Sequence, residues 1–301
     1  MRKFIWGLLV IIFVGGMVFL SVNSSKTLAT STAGKITEKD FYNEIKKSSA
    51  GKQEFAKMVI NKVLEDKYGD NVSKADVDSA FEAQKSQYGS SFKEVLASNN
   101  MTEKQLKDSL RNNLLTKAAI KANYNVTEKQ IKKAYDDYKP AVTISMLKAK
   151  NEENAKNAAN DIKDGKSWSE VYKKYSTDST YKSTTGKISA FDSTSTSVDS
   201  SIQNAAFKLN KVGDYAVTSD SSGNYYLLKL EKKTDKPSLN SLRSKLTEQI
   251  ITEFMNSSDN TSKVQAIIGK ILRKADVSVK DSDLKSSLNT YLTAGISSNN
   301  K

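Results

Sequence analysis

Apolar residues recur at helical spacing over most of this chain. Phe41 and Ile45 follow Thr37 and Asp40, and Val77, Phe81 and Tyr88 follow Ser73 and Asp76; Leu106, Leu110 and Leu114 follow Thr102 and Gln105, and Ile131, Ala134, Tyr135 and Tyr138 follow Thr127 and Gln130. In each case a hydroxyl side chain precedes the helix and a carboxylate or amide stands three residues on. That pairing satisfies backbone donors that a helix start leaves free. These starts predict an all-helical N-terminal lobe. Toward the other end, Leu242, Leu246, Ile250 and Phe254 repeat every fourth residue, and Val264, Ile267, Ile268, Ile271 and Leu272 continue the pattern after a polar break. Such stripes read as core rather than as a cofactor box. Ala275 to Leu288 reads as a short strand or extended piece entering a capped helix, Asn23 to Gly34 as a small, polar, extended linker, and the final SSNNK as a fraying end.

The pattern changes between Ala141 and Lys236. VTISMLKA (Val142 to Ala149) is strand-like, a helical segment follows in which Ile162, Trp168, Val171 and Tyr172 can share a core face, and NYYLLKLEKK (Asn224 to Lys233) is a second strand-like run. Pro140 and Pro237, the two prolines of the chain, bracket this unit. Proline donates nothing to a ladder and biases its predecessor away from helix, so both read as domain punctuation.

Composition narrows the chemistry. Cysteine and histidine are both absent from the 301 residues. That excludes disulfides, thiol nucleophiles, thiolate metal sites and the usual general base near neutral pH. The net charge of +13 would ordinarily raise nucleic-acid binding. Export argues against it, because Arg2 and Lys3 precede an uncharged apolar run, Phe4 to Val22, with the layout of a secretory signal and the length of a membrane span. A cationic protein outside the cell meets anionic wall polymer or lipid headgroups, although most of the lysines read as solvated helix faces.

The order of parts in the mixed unit resembles the parvulin-type peptidyl-prolyl isomerase domain. Ala155, Lys156, Ile162, Gly165, Trp168, Tyr175, Ser176, Asp178, Gly186, Phe191, Ala206, Phe207, Leu209 and Gly213 fall on that pattern in sequence. Beyond the unit, AGKITEKDFYNEIK (Ala33 to Lys46), YGDNVSKADVDSAFEAQKSQYG (Tyr68 to Gly89) and LKDSLRNNLL (Leu106 to Leu115) extend the resemblance to the PrsA/PrtM foldases of Gram-positive bacteria over nearly the whole chain. The resemblance implies an α+β protein: a SurA-like helical chaperone lobe built from N- and C-terminal segments, with an inserted parvulin-like α/β domain. The expected division is a signal or anchor and linker at 1–34, the lobe at 35–139 and 237–301, and the inserted domain at 140–236. It implies an extracytoplasmic folding factor for secreted proteins, with protease maturation the role associated with the PrtM branch; no cofactor is expected, and the oligomeric state, a homodimer among the options, is left open by the sequence. The alternative is a catalytically weak or inactive holdase on a parvulin-like scaffold.

Three departures from the family bear on activity and anchoring. Met146 stands where active parvulins carry the first histidine, and the second matches Tyr226 if Lys229 sets the register or Tyr225 if Gly223 does. Asp178 keeps the family's cysteine-or-aspartate position. In the proline pocket Ile202 replaces the family's phenylalanine and the methionine position falls near Ser197, while Phe191 and Phe207 match. Met146, Tyr225 and Tyr226 equally fit ordinary sheet packing, Phe191 and Phe207 fit domain core, and Asp178 fits a turn cap. In LSVN (Leu20 to Asn23) the lipobox cysteine is replaced by Asn23, so no lipid can be attached there. Phe4 to Val22 then serves as an uncleaved anchor, or as an ordinary signal with a small-residue cleavage option near Leu28 and Ala29.

Overall fold

The computed structural model describes residues 26–178 and 181–294. The chain opens with the antiparallel hairpin β1 (Thr27–Ser31) and β2 (Gly34–Thr37). Five helices follow: α1 (Glu38–Lys47), α2 (Ser49–Tyr68), α3 (Lys74–Tyr88), α4 (Phe92–Ser98) and α5 (Glu103–Asn123). Next come α6 (Glu128–Asp137), β3 (Val142–Ala149), α7 (Glu152–Lys163), α8 (Trp168–Tyr175) and α9 (Ser200–Lys208). Strands β4 (Tyr215–Ser219) and β5 (Tyr225–Lys233) then lead into α10 (Leu239–Asn256), α11 (Thr261–Lys274) and the short α12 (Asn289–Leu292). All four expected capping boxes form, at Thr37, Ser73, Thr102 and Thr127, and Ser167 with Glu170 adds another at α8.

The described chain resolves into two compact units, Val126–Ile250 and a helical unit built from the chain up to Asn125 and from Ile251 onward. In the helical unit, Leu64, Leu110, Leu115 and Ala119 share one buried cluster with Ile268, Ile271, Leu272 and Leu288. N- and C-terminal segments therefore complete a single core. Arg111 fixes one edge of it, donating to Glu65 Oε1 at 2.6 Å and to the Val72 carbonyl at 2.9 Å.

In the other unit the strands pair antiparallel in the order β3-β5-β4. A loop completes the free edge of β3, for Met146 N–H donates to Gly186 O at 2.8 Å and Phe191 N–H to Val142 O at 3.0 Å. Pro140 and Pro237 fall within this unit, because α6 and the first turns of α10 carry an apolar contact of their own. Tyr138, Leu242 and Leu246 are buried together there, and Tyr135 Oη donates to the Pro237 carbonyl at 3.1 Å. Buried Asp192 ties that contact to the sheet loop. It accepts from Tyr138 Oη at 2.8 Å, from Thr194 Oγ1 at 2.7 Å and from Lys245 Nζ. Burial works against its charge, but these donors prevail and hold its pKa at about 2.

Two expectations are refined. Within Ala275 to Leu288, residues 277–280 are irregular and pair with no strand, residues 282–288 form turns, and α12 that follows has four residues and no side-chain cap. Val277, Val279 and Leu288 pack on the helical core, where no strand is available to pair. The Asn23 to Gly34 linker, as far as it is described, is extended but paired: Ala29 lies opposite Ile36 and Thr30 opposite Lys35. Arg2, Lys3, the Phe4 to Val22 run and the Leu20 to Asn23 box lie outside the described residues; within them no helix is long and apolar enough to cross a membrane.

Two outcomes check this architecture. Gly186 has φ +81°, and a Cβ there would lie 2.3 Å from Met146 O and 2.7 Å from Tyr172 Cε2. Gly186→Ala should cost about 3 kcal/mol in urea unfolding, whereas Gly165→Ala, at φ +89° with open space around it, should cost about 1 kcal/mol; equal costs would refute the close approach. A carboxylate with a depressed pKa stabilises the fold above its ordinary value of 3.8 and loses that contribution as pH falls toward about 2. Asp192→Asn should therefore lower stability at pH 7 by about 2 kcal/mol and flatten the loss of stability between pH 4 and 2 in an acid titration.

Candidate functional site

Alternation along β3 and β5 divides the sheet into two faces. Val142, Ile144 and Met146 of β3 and Tyr226, Leu228 and Leu230 of β5 meet Ile202 and Ala206 from α9 and its C-cap Leu209, with Phe191 from the loop. On the opposite face Leu147, Ala149 and Leu227 pack with Ala155, Ala158, Val171 and Tyr172, and Tyr225 lies against this second cluster. The register thus separates the two tyrosines, and Tyr226 is the one on the face of Met146. Met146 pairs with Leu228 and Lys148 with Tyr226, making Met146 and Tyr226 diagonal neighbours.

The remaining candidate positions divide by depth. Phe191 and Ile202 are 2% and 4% exposed and belong to the packed interior, whereas Met146 and Phe207 are half-buried at its margin. The rings of Phe191 and Phe207 are tilted with centroids 5.8 Å apart. The margin accessible to a ligand is therefore Met146 and Phe207, with Tyr226, 7% exposed, buried beside them.

The phenol of Tyr226 sits among carboxylates. Tyr226 Oη donates to Asp220 Oδ2 at 3.1 Å. Its pKa is pushed up, first by burial, then by the charge and hydrogen bond of Asp220, with the charges of Asp178 and Asp199 adding to the effect. Asp220 is held by the turn between β4 and β5, accepting from Ser222 N–H at 2.8 Å, Asn224 N–H at 2.9 Å and Asn224 Nδ2 at 2.8 Å. Asp199 caps α9 through Ser201 N–H at 2.8 Å and accepts from Ser221 Oγ at 2.7 Å. Burial opposes ionisation of both, yet the hydrogen bonds win and both pKa values are lowered. Asp178 is brought close by its neighbour, since Thr177 N–H donates to Lys148 O at 2.8 Å, directly across the ladder from Tyr226.

Asp199 and Asp220 were not among the residues singled out from the sequence. Their signals are present in it, an aspartate before the helical SSIQ and a D-S-S-G-N turn, but each reads as local capping until the fold closes them around Tyr226. Among the described residues no group of three or more His, Cys, Asp or Glu is placed to hold a metal ion. The arrangement offers an apolar margin and a phenol whose proton is already committed to Asp220. It can desolvate and shape a peptide bond but forms no covalent intermediate. Rotation about an X–Pro amide needs no more, because its barrier is loss of partial double-bond character.

Antiparallel β3-β5-β4, helices on both faces and the site at the margin of one face define the class of parvulin-type rotamase domains. The family model of that class, the PPIC-type PPIASE domain, matches residues 114–232. Over most of its length the chain is 41% identical to the foldase protein PrsA of Levilactobacillus brevis, with 92% of each covered, and 40% identical to that of Pediococcus pentosaceus, covering 94% and 95%. The crystal structure of foldase protein PrsA from Streptococcus pneumoniae superimposes with a TM-score of 0.70 at 34% identity, covering 88% of this chain and 99% of that one. The chain belongs to the PrsA family of foldases.

With no histidine in the chain, Tyr226 keeping its proton and Asp199 and Asp220 staying ionised, any isomerase activity should be independent of pH between about 6 and 9. A kcat/KM profile measures this, and an inflection near neutrality would contradict it.

Proposed function

We propose that this protein is an extracytoplasmic foldase that assists exported proteins chiefly by holding them, its rotamase domain being a weak catalyst. The observation that carries this reading is the engagement of Tyr226 Oη with Asp220 Oδ2 at 3.1 Å, with the thioether of Met146 as its neighbour across the ladder. Neither position presents a free donor to a peptide carbonyl. A cavity of about 760 Å³ in the helical unit supports the holding role. Gln53, Ser109, Asn112, Asn113 and Thr116 line it with hydrogen-bonding groups suited to an extended backbone, and Ile60 adds an apolar contact. Exported chains, a secreted protease among them, are the clients on this reading.

The protein stays on the outer face of the membrane, held by Phe4 to Val22 with Arg2 and Lys3 inside. Use of Thr27–Ser31 as a strand favours the anchor over cleavage near Ala29, which would cut β1 in two. Mass analysis of the exported protein tests this: the intact N-terminus is expected, and a start just after Ala29 would replace the anchor by release.

Assayed side by side, the protein should speed isomerisation of an Ala-Pro peptide less than about tenfold over an uncatalysed exchange of roughly tens to hundreds of seconds, while suppressing aggregation of an unfolded client. Asn113→Trp, which fills the cavity from its rim, should weaken suppression and leave isomerisation unchanged. Strong acceleration abolished by Asp178→Ala would overturn the holding-first reading.

A further inference from the structure

The N-terminal hairpin is the least covered element of the described chain. Every residue of β1 and all of β2 except Thr37 is exposed, and the two strands pair only with each other. A lone two-stranded hairpin is marginal in water. Leu28, Ile36, Phe41 and Tyr42 are 47%, 54%, 42% and 43% exposed, and they are four of the seven large apolar residues left open among the described residues. They fall within fifteen consecutive positions, on the hairpin and the helix it leads into, and such a concentration is what a contact surface would require.

The charges around them are sorted. Glu38 is buried, 3.9 Å from Lys26, and Asp40 is spent on the cap of α1, accepting from Thr37 Oγ1 at 2.7 Å and Thr37 N–H at 3.0 Å. Lys35 and Lys39 remain exposed beside the apolar side chains. Apolar groups rimmed by lysine, with the nearby acids internally engaged, match the boundary between headgroups and acyl chains.

Chain length identifies the occupant. Asn23, Ser24 and Ser25 alone separate Val22, the end of the apolar run, from Lys26. Fully extended, that link reaches at most about 14 Å, no more than about twice the thickness of one headgroup layer, so the hairpin starts at or just beyond the headgroups. We propose that β1, β2 and the first turns of α1 form a membrane seat, with Leu28, Ile36 and Phe41 inserted at the lipid headgroup level and Lys35 and Lys39 on anionic lipid. The seat rests on the anchored reading of Phe4 to Val22, and it fixes the helical unit at the bilayer surface instead of leaving it on a free tether.

The cysteine-free chain permits a direct test. Leu28→Cys, Ile36→Cys, Phe41→Cys and, as control, Val212→Cys, 68% exposed in the other unit, are each labelled with an environment-sensitive fluorophore. The full chain is then reconstituted into phosphatidylcholine–phosphatidylglycerol vesicles. Flotation in alkaline carbonate tests the anchor; quenching by lipid-borne nitroxides tests the seat. The expected result is flotation, with blue-shifted emission and at least twofold stronger lipid quenching at positions 28, 36 and 41 than at 212. Flotation with all four labels equally aqueous overturns the seat and leaves the anchor standing. Labels shielded from iodide but untouched by lipid nitroxides, with energy transfer between copies, assign the surface to a second copy and overturn it too. Failure to float removes the anchored reading and the seat with it.

Discussion

Strand β5 is the constraint on which the rotamase domain depends. It is paired on both edges, and Leu227, Leu228 and Leu230 are wholly buried, the first toward α7 and α8 and the other two toward α9. Each such leucine contributes about 2 kcal/mol by leaving water. A slip of one residue would turn both sets toward the wrong face, so the register is strongly specified. That register decides which tyrosine meets Met146 and Phe207, and it sets the phenol of Tyr226 over the β4–β5 turn that supplies Asp220. The chemistry of the site follows from the packing of the strand beside it.

The candidate site is correspondingly engaged in its own hydrogen bonds. Asp199 and Asp220 are satisfied by backbone and side-chain groups of their own turns before any ligand arrives, and Tyr226 is drawn into the same network. Such a network stabilises the hairpin and the start of α9. On the proposed reading it also leaves a client's carbonyl without a ready partner, so that assistance would rest on apolar contact and on the cavity of the helical unit.

Legibility in the sequence follows the locality of each signal. Helices α1, α3, α5 and α6 were readable because each capping box is completed within four residues, whereas α2, capped by Ser48 without a box, and α4, without a side-chain cap, were not; β3 and β5 were readable because buried strands carry dense apolar runs. Strand β4 was not, since YAVTS is short and lies at the sheet edge with every residue half-buried. The N-terminal hairpin escaped because TLATS and GKIT bury nothing and so show no apolar alternation. Residues 275–288 misled because β-branched Val277 and Val279 favour a strand locally while the helical core claims them. Of the candidate site, Met146 and Asp178 could be placed by the resemblance to the parvulin pattern, but the choice between Tyr225 and Tyr226 needed the bulge between Thr143 and Ile144 and the ladder beyond it. Asp199 and Asp220, distant in sequence from Asp178, become neighbours only through tertiary closure.

The central claim is that assistance comes from holding clients rather than from turning prolyl bonds. It is tested most directly by refolding a protein whose slow phase is limited by one X–Pro isomerisation, in the presence of the full chain. The account predicts a higher yield of folded client with the slow rate constant unchanged. A slow phase that accelerates in proportion to the amount of foldase added, without a gain in yield, would contradict it.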